Sequence, residues 1–298
     1  MHSNKFPLHT LFLPPFPIPS FSLSLSLSLM ESQATSTASA TAIYMRDRFG
    51  CCFRNWMAQQ HLDLDELLQA VSADSGDAEK LRSLAGKSIQ HFRDYLEARS
   101  QLAQHDAPSF FCPPWCTSFE NSFLWIGGCR PTLAIRLVYS SSGSDLEAQL
   151  AGGARRGDDD RSNGSGGGGG GNLGEITASQ LKSINELHMK TLRMEEKLSG
   201  RMASMQEEIA DDPLALIAKR SGRVGEESES VERVMKRHAL SLARVLTEAD
   251  ELRLATLREL VEEILTPLQA VEFLVTTKKL HLSIHEWGKR RDSVLGKV

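Results

Sequence analysis

A chain of 298 residues with 34 Lys and Arg against 38 Asp and Glu has a formal charge of −4, enough length to bury a sizeable core and no overall attraction for nucleic acid. Its basic clusters, Lys236-Arg237 and Lys289-Arg290-Arg291, are short and read as solvated helix ends rather than a phosphate-binding patch. Five cysteines, an odd number on a charged chain, argue against a disulfide framework and for reduced thiols inside a cell; Cys112 and Cys116 have ligand-like spacing, but no second pair follows at a finger-like distance, so zinc is not expected there.

Residues 1–44 form a prefix that is Pro-rich to Ser20 and alternates Ser and Leu from Phe21 to Leu29. Pro14, Pro15, Pro17 and Pro19 interrupt what would be the apolar core of a signal peptide. The prefix is expected to be disordered and an artefact of the gene model, with translation starting at Met30 or Met45. No other apolar run is long enough to span a bilayer, so a soluble intracellular protein is expected.

From Met45 the spacing predicts helices. Phe49, Phe53, Trp56 and Met57 recur at three and four, followed by Leu62, Leu67, Leu68 and Val71; after a break at 72–76 a second helix runs from about Ala78 to the residues before Pro108. The stretch from Pro113 to Gly143 is denser in information. Phe119, Phe123, Leu124, Trp125 and Ile126 make an apolar run expected to be buried, and Gly127-Gly128 ends it where the backbone turns with positive φ. Pro131 restarts a helix, which Ser140-Ser141-Ser142-Gly143 should stop.

Residues 151–174, with Asp158-Asp159-Asp160 and glycines from Gly166 to Gly171, read as a disordered insertion within one domain. They lack the Gly-Lys-Ser/Thr ending of a phosphate-binding loop. Next, Ile184, Leu187, Thr191, Met194, Leu198, Met202, Met205 and Ile209 outline a long amphipathic helix with a near-heptad beat. No basic helix precedes it, so it is not a bZIP zipper. An acidic link over 221–230 leads to a stripe from Val231 to Leu265; Thr266 and Pro267 then suit the cap and first turn of a last helix expected to end near Trp287, with Gly288 as its stop. The fold is therefore expected to be all-α, a bundle of long antiparallel helices with disordered insertions, in which 45–290 form one domain and 291–298 a tail.

No catalytic set stands out: HExxH and GxSxG are absent, and Glu195-Glu196, Glu207-Glu208 and Glu262-Glu263 read as solvated helix faces. His281 and His285 are a histidine pair at i,i+4 on the final helix. At 100° per residue they flank a stripe of Phe273, Leu280, Ile284 and Trp287 expected to face the core.

Trp115, Glu120, the run Phe123-Leu124-Trp125-Ile126-Gly127-Gly128, Arg130-Pro131 and Leu137-Val138 together resemble the plant domain shared by Delay-of-Germination dormancy proteins and TGA-type bZIP transcription factors. The resemblance extends to Phe53-Arg54-Asn55-Trp56-Met57 and to Leu252 through Trp287, covering roughly 46 to 290. The ending from Lys278 to Gly288 is nearer the dormancy branch. It implies a non-enzymatic regulator of dormancy in the abscisic-acid pathway that binds type 2C protein phosphatases, with Asp63, Asp65 and Glu66 as a candidate exposed contact face. It also implies haem, with His281 and His285 as the histidines concerned. Neighbours on one straight helix cannot take opposite axial positions, so at most one is axial; the other would support it from the second shell, or ligate another metal such as zinc in cis. The alternative is a nuclear, transcription-associated regulator that reaches DNA directly or through partners. The long apolar stripes also suit self-association.

Overall fold

A computed structural model describes residues 21–73, 76–153, 173, 176–211, 215 and 229–296, the side chains of 21–46, 143–153 and 230 excepted. It is all-helical, with its helices packed antiparallel, as the periodicity predicts: α1 (Phe21–Ala73), α2 (Ala78–Asp106), α3 (Ser118–Asn121), α4 (Thr132–Gly153), α5 (Ala178–Glu207), α6 (Glu229–Arg258) and α7 (Pro267–Val294). A wide π turn over Glu259–Ile264 carries α6 toward the cap of α7. The expected prefix falls partly on residues 1–20, outside the described ones, and partly on 21–44, whose backbone is helical within α1. Of the expected insertion, 154–172 and 174 lie outside the described residues, as do 221–228 of the acidic link.

Helix starts follow local chemistry. Asp77 accepts from the Lys80 amide at 3.0 Å to cap α2. Thr117, Thr177 and Thr266 each close a capping box, with Glu120, Gln180 and Gln269. Pro267 occupies the first turn of α7 as its sequence suggests. Helix ends are less obedient. Ser140–Gly143 does not stop α4, because the Ser142 hydroxyl donates back to the carbonyls of Val138 and Tyr139 and so fits inside a helix. Nor does Gly288 stop α7, which continues to Val294.

One apolar core gathers Leu67, Leu81, Ile89, Ile135, Ile184 and Phe273 from five different helices. A second joins Leu198 and Met205 of α5 to Leu242, Val245 and Ala249 of α6 under Trp125 and Ile126. A third holds Phe53, Trp56, Met57 and Leu282, where α1 meets α7.

Between α3 and α4 the chain reverses tightly. The Trp125 amide donates to the Gly128 carbonyl at 2.7 Å and the Gly128 amide returns to Trp125 at 3.2 Å. The positive φ values fall on Ile126 (44°) and Gly127 (66°), one residue earlier than the sequence suggests. A β-branched residue in this region is strained, so something must hold it. Arg253 does: its guanidinium donates to the carbonyls of Trp125 (2.5 Å), Ile126 (2.9 Å) and Cys129 (2.7 Å). Arg99 donates to the Gly127 carbonyl at 2.8 Å. Asp250 sits between the two arginines, 2.6 Å from Arg253 and 3.0 Å from Arg99.

Gly288 serves a different end from the expected one. A Cβ there would lie 2.2 Å from Thr117 Oγ1 and 2.9 Å from Thr117 Cβ, so its missing side chain is what lets α7 approach the cap of α3. Gly288→Ala is expected to destabilise the fold by roughly 1–3 kcal/mol, the scale of an overpacked contact. Urea denaturation checks this, and a loss below about 0.5 kcal/mol, the range of a neutral surface change, would remove the close approach as the reason for glycine.

Candidate functional site

The histidine pair lies on the core side of α7, not on its flank. Buried or half-buried positions on that side are Leu274, Lys278, His281, Leu282, His285, Gly288 and Asp292. Leu280 and Trp287, expected in the core, are 49% and 46% exposed. The face was hidden from periodicity because half of it is polar. Lys278, His285 and Asp292 stand two turns apart along it, and each reaches a different partner.

Lys278 Nζ donates to Asp63 Oδ2 at 2.9 Å and to Gln60 Oε1 at 3.2 Å, with its ammonium 5.9 Å from the Trp56 ring centroid. Asp63 Oδ1 accepts from Gln59 at 2.8 Å and lies 2.8 Å from His91 Nδ1. Burial would raise the Asp63 carboxyl, but the Lys278 charge and the hydrogen bonds of Lys278, Gln59 and His91 hold it below its ordinary value. Burial pushes Lys278 down, opposed by Asp63. Asp63 is therefore a buried structural anion at 2% exposure, which corrects its place in the expected exposed acidic face. Asp65 is exposed, and Glu66 is half-buried and paired with Lys87 at 2.7 Å.

His285 Nδ1 lies 2.9 Å from Glu120 Oε1, and its ring meets Phe53 edge-on at 5.7 Å. Glu120 also accepts from the Thr117 amide at 2.8 Å, as the reciprocal half of the α3 capping box. Burial would raise this carboxyl too; His285 and Thr117 hold it down. At the far end Asp292 Oδ2 accepts from the Ser118 amide at 2.8 Å, so the expected tail contributes to the folded unit. His281 stands between the Lys278–Asp63 and His285–Glu120 contacts, partly exposed. Enclosure lowers its imidazole to about 4, reinforced by the nearby His285 and Lys278 and opposed by Glu120.

This seam joins α7 to α1 and α3. No group of three or more metal-binding side chains occurs among the described residues. Of the pair, His281, neutral and partly exposed, is the residue that could hold a haem iron, since His285 is committed through Nδ1 to Glu120. All five cysteines are free, and burial raises the Cys116 thiol to about 12, which suits a packed thiol rather than a metal thiolate.

Sequence reasoning missed two buried groups. Glu195, taken for a solvated acid, is fully buried and accepts from Arg130 Nε at 2.6 Å and from the Thr132 amide at 2.7 Å, fastening α4 to α5. Arg99, Asp250 and Arg253 went unnoticed although Asp250 and Arg253 interrupt an apolar stripe at i,i+3, which is a legible sign of buried pairing.

Residues 63–140, from the buried Asp63 through the clamped turn, match the family model DOG1, described as seed dormancy control. The chain is 40% identical over 250 residues to Protein DOG1-like 1 of Arabidopsis thaliana, covering 81% of this chain and 89% of that protein. It belongs to the DOG1 family. Within wider similarity, Protein RESPONSE TO ABA AND SALT 1 of the same plant is 28% identical over 79% of this chain and 93% of its own length. Transcription factor TGA2, also from Arabidopsis thaliana, is 26% identical over 79% of this chain and 59% of its own length. The region aligned with this DOG1-family chain excludes the bZIP segment. No helix among its described residues is long and apolar enough to cross a membrane.

His281 gives the seam a measurable pH signature. With a folded value near 4 and an ordinary value of 6.5, the unfolded chain takes up a proton between these pH values while the folded one does not, so stability falls as pH drops through that window. Between pH 7 and pH 5 this amounts to about 2 kcal/mol. Urea denaturation of His281→Ala should show that much less loss over the same interval; an identical pH dependence in both proteins would contradict the enclosure of His281.

Proposed function

We propose that this DOG1-family, dormancy- and ABA-related protein is a non-enzymatic regulator that acts by binding other proteins, with type 2C protein phosphatases as the target class. The observation that carries the reading is the match to the seed-dormancy family, together with 40% identity across 89% of a DOG1-like relative. The printed name of RESPONSE TO ABA AND SALT 1 supports the hormonal setting. Of the three acidic residues expected at the contact face, Asp65 is exposed and Glu66 reaches the surface in a pair with Lys87 that a partner could compete for, whereas Asp63 is buried on Lys278. A purified type 2C phosphatase should be retained by the immobilised chain with its rate altered. Asp65→Lys/Glu66→Lys should weaken retention roughly tenfold, the scale of reversing charges at a rim. No retention and an unchanged phosphatase rate would defeat the reading.

Haem is a second ligand reading, supported by a neutral imidazole with partial exposure at His281. When bound it would supply an iron responsive to redox state and small ligands. His281 would hold it, and His285, tied to Glu120, would position the helix. Hemin titration followed by absorption should give a Soret shift that His281→Ala abolishes and His285→Ala retains; a full shift in His281→Ala would rule out this ligand. The similarity to TGA2 supports a nuclear role through DNA-bound partners rather than direct DNA contact, since the aligned region excludes the bZIP segment.

A further inference from the structure

Opposite its polar seam, α7 carries Leu280, Ile284, Trp287, Arg291 and Val294 at helical spacing. This stripe has the periodicity of a core face, yet Leu280 is 49% exposed, Trp287 46% and Val294 87%. The patch widens onto α3 and the residues after it. Trp287 packs on Phe119 with ring centroids 4.1 Å apart, and Phe123, itself 54% exposed, meets Phe119 edge-on at 4.8 Å. Beside this aromatic shelf lies a shallow hollow bounded by Trp287, Arg290, Arg291, Val294 and Leu295. Single exposed apolar side chains need no explanation, but a continuous apolar patch rimmed by charge marks an interaction surface.

We propose that the outer face of α7 is a docking surface for an acidic amphipathic helix of another protein. The charge around the patch selects the partner. Lys279, Lys289, Arg290 and Arg291 are all exposed along it. Lys289 pairs with Glu286 at 3.1 Å and Arg291 lies 3.6 Å from Asp292, whereas Lys279 and Arg290 have no carboxylate partner among the described residues. A second copy would set this basic rim against itself, which costs free energy through like-charge repulsion. A helix with apolar residues at i, i+3, i+4 and i+7 and carboxylates beside them satisfies both the stripe and the rim. Trp287 and Arg290 are the residue types that carry most energy at such contacts. The proposal rests on the reading of the chain as a protein-binding regulator and names a surface for it.

The test uses a fluorescein-labelled helical peptide of about 18 residues, with Leu at those four spacings and Glu elsewhere, and a second peptide with Lys replacing every Glu. Titrated into the full chain and followed by anisotropy, the Glu peptide should bind at least tenfold more tightly than the Lys peptide. Arg290→Glu/Arg291→Glu should reverse that preference, and Trp287→Ser should weaken the Glu peptide at least tenfold with the helical circular dichroism unchanged. Equal binding of the two peptides, or undiminished binding of the Glu peptide to Arg290→Glu/Arg291→Glu, would overturn the proposal. A dimer in sedimentation velocity that dissociates in Trp287→Ser would also overturn it, giving the face to a second copy. Phosphatase retention separates the two levels: a wild-type chain that retains phosphatase but shows no peptide preference loses this surface alone, whereas failure of retention strikes the functional reading itself.

Discussion

Two guanidinium groups and one carboxylate hold the turn around which the bundle is assembled. Arg253 and Arg99 occupy four consecutive or near-consecutive carbonyls, those of Trp125, Ile126, Gly127 and Cys129, and Asp250 bridges the arginines. A tight turn drawn into a core leaves carbonyls without water, and each needs a donor. Arginine presents five N–H groups in a fixed fork, so two such side chains satisfy a turn that no helix or strand could. One carboxylate does not neutralise two cations. The remaining charge rests on carbonyl dipoles and on aromatic faces: Trp125 lies 5.4 Å from the Arg253 guanidinium, and Phe110 and Tyr95 lie 5.5 and 5.8 Å from that of Arg99. The clamp ties α2 and α6 to the α3–α4 connection, and it explains how Ile126 is kept at positive φ.

The same economy of buried charge recurs at smaller scale. Glu195 closes the start of α4 through the Thr132 amide, and Glu120 closes the start of α3 while receiving His285. Helix N-termini carry unpaired amides and a partial positive charge, so a buried carboxylate satisfies donors there, and it fixes a tertiary contact when it also links a second helix, as Glu195 does from α5 and Glu120 of α3 does through His285. Removing one member of such a pair leaves the other buried and uncompensated, which makes these contacts costly to break even where they add little net stability.

Helix positions were legible because apolar spacing and caps are local: the α1–α2 break, the Thr266-Pro267 start of α7 and the long α5 all follow from residues within a turn or two. Helix ends at Ser140–Gly143 and Gly288 were not, since serine can bond within a helix and a glycine can answer a tertiary contact instead of a turn. The site was half legible. The i,i+4 spacing singles out His281 and His285, but their orientation depends on Lys278 and Asp292, charged residues that periodicity assigns to solvent. Asp63 was misplaced for the same reason: its partner, Lys278, is 215 residues away.

Reversal of the two faces of α7 has a physical consequence for register. A helix packed by a smooth apolar stripe can slide by a turn at modest cost, whereas α7 meets its neighbours through Lys278 with Asp63, His285 with Glu120 and Asp292 with the Ser118 amide. These contacts are seven residues apart in sequence, about 10 Å along the axis, and a shift of one residue or one turn breaks all three together. Gly288, pressed against Thr117, fixes the depth of approach at the same end. Because polar contacts set the register of the inner face, the exposed apolar residues Leu280, Trp287 and Val294 are not needed to hold α7 in place. Their presence at core-like spacing on the solvent side therefore calls for a role outside the fold, and it is met where Phe119 and Phe123 extend the same surface.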